Sequence, residues 1–278
     1  MTHFGTIRGI LFGSLLTVVF ANHAVASILV FEASGATPAS ITPARDAFRA
    51  AVGGGTVAGA NGDFGGQRRE VNWDAVPAGF SDPSLLPSNF FNVNSPRGVV
   101  FSTPGTGFLV SSDSGSPLFG FPNDLQTFSP SKLFTAVNST ITDINFFVPG
   151  TAIAATTSAF GLVFVDVEVA NLTKLEFFDS NNTLLFSRFA MVGGNQGLTF
   201  LGGVADAGEQ IARVRVTSGA NALVSDGVRG DENLDFVVMD DFLYATPTAA
   251  PEPGSWSLLG FGLLAFGLKR RSIHQDRG

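Results

Sequence analysis

The chain has 278 residues with 23 acidic and 16 basic side chains, giving a net charge of −7 at neutral pH. It has no cysteine and only three histidines, His3, His23 and His274, which excludes thiol catalysis, disulfide staples and cysteine-ligated metals. An acidic balance also argues against nucleic acid as a partner, and 28 phenylalanines supply apolar surface for a sizeable core.

At the N-terminus Arg8 precedes an apolar stretch from Ile10 to Phe20, and Ala24-Val25-Ala26 gives the small-x-small pattern of a cleavage site. This predicts a signal peptide over 1–26, removed by signal peptidase, because the stretch is shorter than the roughly 20 residues needed to span a bilayer. A body over 27–244 and a linker over 245–250 follow. Residues 27–250 hold 21 acids (23 without Glu252 and Asp276) against 11 bases (16 without Arg8, Lys269, Arg270, Arg271 and Arg277), near −10. Once both ends are removed the body has no imidazole, so Ser-His-Asp catalysis and histidine-ligated zinc are excluded and carboxylate chemistry remains.

Along the body, Ile28 to Phe31 reads as a strand. A helix is predicted next, with Thr42 as N-cap, Pro43 at the first helical position and Gly53 as its stop. Ala44, Ala47, Phe48, Ala51 and Val52 fall on its inner face, with Arg45, Asp46 and Arg49 turned outward. Gly53 to Gly66 is a polar loop; its Gly53-Gly54-Gly55 follows a helix and lacks the Lys-Ser/Thr of a phosphate loop. Val71 to Ala75 alternates as a strand, with Val71, Trp73 and Ala75 on one side. Further strands are predicted over 98–102, 107–111, 140–148, 160–169, 172–178, 184–190, 197–201, 211–217 and 236–244, punctuated by turns such as Asp179-Ser180-Asn181-Asn182. The pattern predicts an all-β protein, a β-sandwich or jelly roll with one short N-terminal helix. A compositional break near 130–140 would divide it into two sub-domains, although one sandwich is the simpler arrangement.

Several acids invite a chemical reading. Asp166 and Glu168 project from one strand face, and Asp240 and Asp241 point to opposite faces of the last strand. A hard cation relieves the cost of burying carboxylates, so Asp166 with Asp241, joined by Glu32, is a candidate structural calcium site. Solvated strand-end carboxylates are the alternative. Asp231, Asn233 and Asp235 begin like a calcium loop, but Phe236 and Phe242 stand where that loop needs Gly and Glu. Trp73 is the candidate sugar contact, having both a broad ring and a polar handle. Glu70 with Asp74, or Asp166 with Glu168, would supply acid and base to a hydrolase; Lys132, read as a surface lysine, is a weak base for Ser129 or Ser131.

The C-terminus reads Pro251-Glu252-Pro253-Gly254-Ser255, an apolar run from Trp256 to Leu268, and Lys269-Arg270-Arg271. It resembles the PEP-CTERM sorting tag of exported bacterial proteins. The resemblance implies an exosortase cut near the Pro-Glu-Pro box and transient inner-membrane insertion of a short helix over 256–268. The basic cluster would stay on the cytoplasmic side. Seven residues, Ser272 to Gly278, follow that cluster, where many tags stop sooner. Phe164-Val165-Asp166-Val167, the Gly-rich stretch 193–203, Ile211 to Val216 and Val238 to Phe242 are similar to exported jelly-roll, lectin-like domains, which implies a sugar-binding face and a structural calcium ion. The expected protein is a structural or adhesive component of the cell surface or extracellular matrix, touching extracellular polysaccharide. A carboxylate-dependent carbohydrate-active hydrolase is the alternative.

Overall fold

A computed structural model of the protein describes residues 27–112, 125–224 and 234–250. The signal-peptide residues with Ala24 and Ala26, the loop residues Asp231 and Asn233, and the tag with Pro251, Glu252, Pro253, Lys269, Arg270 and Arg271 lie outside the described residues.

In chain order, β1 (Ile28–Gly35) leads into α1 (Pro38–Val52), followed by β2 (Asp63–Phe64), β3 (Arg68–Val71), the short α2 (Phe90–Val93), β4 (Val99–Ser102) and β5 (Gly107–Val110). The second half contributes β6 (Phe134–Val137), β7 (Ile141–Phe146), β8 (Ala155–Thr156), β9 (Ala159–Val165), β10 (Lys174–Phe178) and β11 (Leu184–Phe189). It ends with β12 (Leu198–Ala205), β13 (Arg213–Thr217), β14 (Val238–Ala245) and β15 (Thr248–Ala249). One sheet runs β1-β12-β9-β14-β3-β2, with β6 joined to β14 and β5 to β6; a second runs β11-β10-β13-β7-β4. This is an all-β sandwich with one substantial helix. Among the described residues no helix is long and apolar enough to cross a membrane.

The two sheets read differently because they are covered differently. β9 and β14 lie between the second sheet on one side and, on the other, a layer made by α1, which seats mainly on β1 and β12, together with Leu109, Leu125, Leu133 and Phe236. β9 is accordingly buried at every position, as Ala-Phe-Gly-Leu-Val-Phe-Val. β10 and β13 alternate buried and half-buried residues, since their outer face meets water. Between the sheets Phe146, Phe160, Phe177, Phe242 and Tyr244 join a core cluster; Ile41 and Phe48 of α1 join another with Val163, Val165 and Phe200. The helix needs a notch to seat Phe48. Gly161 of β9 pairs with Gly202 of β12, and a Cβ on Gly202 would stand 2.9 Å from the Phe48 ring. Glycine here makes room for an aromatic ring in a strand it would otherwise weaken.

The helix, the 130–140 interval and the 245–250 segment differ from the sequence reading. The helix begins at Pro38 after Thr37, a turn earlier than predicted, and carries Pro43 inside it. Two Thr-Pro pairs, Thr37-Pro38 and Thr42-Pro43, stand near the helix start, and the earlier one lets Ile41 join Phe48 on the buried face. Ala47 and Ala51 are exposed, whereas Arg45 and Arg49 are half-buried and turn toward the body. The interval 130–140 is not a boundary: β1 pairs with β12, β3 with β14 and β4 with β7, and β6 lies within the first sheet. Residues 245–250 do more than link, since Thr248 pairs with Thr156 and Ala249 with Ala155.

Candidate functional site

The site starts from an irregularity in β14. Met239 lies opposite Phe164 and Phe242 opposite Leu162, so Asp240 and Asp241 together face the single residue Val163. This is a β-bulge, and it aims two neighbouring side chains to one side where a regular strand would split them. The expectation that Asp240 and Asp241 point to opposite faces is therefore corrected. Both are buried, at 0% and 5% exposure, and both meet one hydroxyl: Ser129 Oγ lies 2.7 Å from Asp241 Oδ1 and 3.3 Å from Asp240 Oδ1. Asp240 Oδ2 also accepts the backbone N–H groups of Phe128 (2.7 Å) and Ser129 (3.3 Å). Asp74 completes the support by accepting the N–H of Lys132 at 3.2 Å. Three carboxylates thus hold the segment 128–132 against the sheet.

A hydroxyl has one proton and cannot serve both aspartates at once. Burial pushes the Asp240 carboxyl well above its ordinary range, and the neighbouring Asp241 carboxylate pushes it further. Burial also raises Asp241, against the lowering effect of the Ser129 hydrogen bond, and it raises Asp74. The aspartates titrate as a coupled pair. Above the ordinary carboxyl value of 3.8 the unfolded chain has released protons that the folded pair retains, so stability falls as pH rises through the pair's titration. Melting temperature is expected to be higher at pH 5 than at pH 8. Asp240→Asn should flatten that profile and raise stability at pH 8 by about 1–2 kcal/mol. Thermal melts across the range check both, and equal slopes for the two proteins would refute the assignment.

Beside the bulge lies a cleft of about 680 Å³, lined among others by Arg45 and Arg49 of α1, Asn61 and Phe64 of the Gly-rich loop, Glu70, Phe128 and Asp241. It adjoins an arginine–carboxylate lattice. Glu70 Oε1 accepts from Arg49 Nε (2.8 Å) and Arg68 Nε (2.7 Å), and its Oε2 accepts from Arg49 Nη2 at 2.6 Å. Arg68, 3% exposed, donates onward to the carbonyls of Gly53 and Gly55 and packs 4.4 Å over the Phe64 ring. A cation at the C-terminal end of α1 is favourable there, and it also fixes the Gly-rich loop that rims the cleft.

The predicted site residues are placed as follows. Trp73 is no sugar platform. β3 ends at Val71, and a turn with Trp73 at φ +66° directs the indole inward to 1% exposure. There it stacks on Phe134 at 4.0 Å and donates Nε1–H to the Asp240 carbonyl at 3.0 Å. The proposed calcium ligands do not converge. Glu32 on β1 pairs with Arg188 of β11 and is separated from β14 by β12 and β9, roughly 14 Å at normal strand spacing. Asp166 sits beyond β9 at φ +73° and accepts the Gln196 N–H at 2.6 Å, and Asp241 belongs to the pair above. Among the described residues no three His, Asp or Glu side chains group as a metal site. Asp166 and Glu168 do not act as a pair on one strand face, because the strand stops at Val165. Asp235 is buried and accepts the N–H groups of Glu168 and Val169. Lys132 is buried rather than on the surface; its Nζ donates to the Val76 carbonyl at 2.6 Å and to Ser81 Oγ at 3.3 Å.

Residue types alone did not reveal Arg45, Arg49, Arg68 and Ser129 as neighbours. One signal was available: consecutive acids inside the apolar run Val237 to Leu243 cannot both leave a regular, doubly covered strand, so a bulge was implied.

Among solved structures, the enzymatically active domain of tailspike protein 4 from bacteriophage CBA120 aligns with 58% of this chain at 15% identity and a TM-score of 0.24; the chain spans 20% of that structure. No curated protein matches the chain. The PEP-CTERM protein-sorting motif matches residues 249–271. The chain is thus a PEP-CTERM-tagged protein, exported across the inner membrane and sorted by an exosortase to the cell surface or the extracellular space.

Proposed function

We propose that the exported body is a structural or adhesive module that holds extracellular polysaccharide in the cleft between α1, the Gly-rich loop and the 128–130 segment. The observation that carries this reading is the composition of the cleft. Asp241 and the Asn61 and Asn72 amides offer acceptors, Arg45 and Arg49 offer donors, and Phe64 and Phe128 provide apolar walls. Sugar hydroxyls both donate and accept, while their C–H faces pack on aromatic rings, so this mixture suits a saccharide better than a purely apolar ligand. The volume of about 680 Å³ falls within the roughly 300–1,000 Å³ of small-ligand sites. Removal of the signal peptide by signal peptidase belongs to the same proposed route.

A hydrolase is the second reading, favoured by one observation: Asp241, with a carboxyl raised by burial, lines the same cleft as Glu70. A carboxyl raised by burial that shares a cleft with a second carboxylate is a feature of glycosidases. Binding is preferred because both oxygens of Glu70 are engaged by Arg49 and Arg68, which leaves it poorly placed to activate water.

Ala58 is exposed and lines the cleft, so Ala58→Trp should obstruct it without disturbing the core. The purified full chain is expected to be retained on the producer's extracellular polysaccharide, and Ala58→Trp to weaken retention at least ~10-fold, about 1.4 kcal/mol. Equal retention of the two would reject the cleft as the seat. Reducing ends measured in the same incubation separate the readings: none are expected, and their release by the parent but not by Asp241→Asn would establish the hydrolase.

A further inference from the structure

The cleft's basic side chains are not equally committed. Arg49 is held by Glu70 on two nitrogens. Arg97, which also lines the cleft, donates to the Glu70 carbonyl and to Ser95 Oγ. Arg45 differs. Its Nε lies 2.7 Å from Asp46 Oδ1 but out of line for a hydrogen bond, and it finds no other partner. Among the described residues neither terminal nitrogen of Arg45 has a hydrogen-bond partner. The guanidinium nevertheless has a fixed position, packed 5.0 Å over the ring of Phe128 with its side chain 14% exposed.

A guanidinium presents parallel N–H donors that match the two oxygens of a carboxylate. Stacking on an aromatic ring removes much of the rotamer freedom that such a pairing would otherwise cost. Asp46, 54% exposed, lies against the Nε edge of Arg45, so its contact is with that edge and not with the terminal nitrogens. The carboxylate most able to compete there, Glu70, is already saturated by Arg49 and Arg68.

We infer that the cleft selects an acidic polysaccharide, with Arg45 receiving a sugar carboxylate on its terminal nitrogens while the guanidinium packs over Phe128. This rests on the polysaccharide reading above and adds the class of sugar to it. A body near −10 repels polyanions over its surface, so the recognition is a local fork-to-carboxylate pairing and a generic polyanion does not replace the ligand.

The experiment uses the purified full chain and the producer's extracellular polysaccharide in two forms, native and with its carboxyl groups reduced to alcohols. Binding to the native form is expected to be at least ~10-fold tighter, the size of one charge-assisted bidentate contact. Arg45→Ala should bind the native form as weakly as the parent binds the reduced form, with Arg45→Lys recovering part of the loss. A DNA duplex should not compete with the native form. Equal binding of both forms by the parent would overturn the inference while leaving the cleft reading intact, provided Ala58→Trp still blocks retention. Competition by inorganic phosphate at matched anion concentration would overturn it in favour of a small-oxyanion site. Retention of neither form would remove the polysaccharide reading itself. The reduced-polymer comparison needs no variant, so a misfolded Arg45→Ala protein would not spare the inference.

Discussion

Trp73→Ala is expected to destabilise the body by about 3–5 kcal/mol, the range for removing a large aromatic from a closed core. The indole stacks on Phe134 with an interplanar angle of 2° and meets Phe91 and Phe242 edge-on at 5.5 and 5.0 Å. The packed rings around it leave little room for collapse into the space. Its loss also strips the Asp240 carbonyl of its indole donor, beside a bulge that must keep two carboxyls in place. Trp73→Phe separates the contributions: the ring core survives and only the N–H bond is lost, a deficit of about 1 kcal/mol. Urea unfolding of the three proteins measures both. A loss below about 1 kcal/mol for alanine would be hard to reconcile with a packed indole.

The second large effect is expected at Glu70. Glu70→Ala leaves Arg68, 4% exposed at its side chain, without its counter-charge and frees Arg49 from its bidentate contact. Breaking a buried pair from one side typically costs about 3–5 kcal/mol, because the remaining charge stays desolvated. Glu70→Gln keeps one acceptor oxygen and should fall between parent and alanine. The consequence extends to binding, since Arg68 reaches the Gly53 and Gly55 carbonyls and so positions the loop that rims the cleft. Denaturant midpoints give the stability change. Comparable stabilities of parent and Glu70→Ala would mean that the lattice is a solvated surface feature.

Much of the β framework is legible in the sequence because its signals are local. The alternation in Lys174–Phe178 and Arg213–Thr217 marks strands with one wet face, and both were found within two residues of their ends. The strand at Phe134–Val137 is not legible; at four residues, all buried, it is too short for either an alternation or a long apolar run such as Ala159–Val165 to mark it. Trp73 was misplaced for a related reason. Val71, Trp73 and Ala75 fit a period of two, but the chain leaves the sheet after Val71, and period alone does not show where a strand stops. The helix was found with its start misplaced, because two Thr-Pro pairs give equivalent starting signals and only packing of Ile41 selects the earlier one. The calcium set failed on distance: Glu32, Asp166 and Asp241 sit on separated parts of the fold, each with partners of its own.

The amino-acid order alone established the sorting tag, the export route, the absence of thiol and the β character of the body. These depend on short contiguous patterns read by processing enzymes or by the local backbone. Tertiary structure decided the cleft and the carboxyl pair. Arg45, Glu70, Ser129 and Asp241 are distant in the chain and meet only when β3 and β14 pair beneath α1. The bulge that turns Asp240 and Asp241 to one side exists only relative to the strand opposite, so its consequences belong to the assembled sheet.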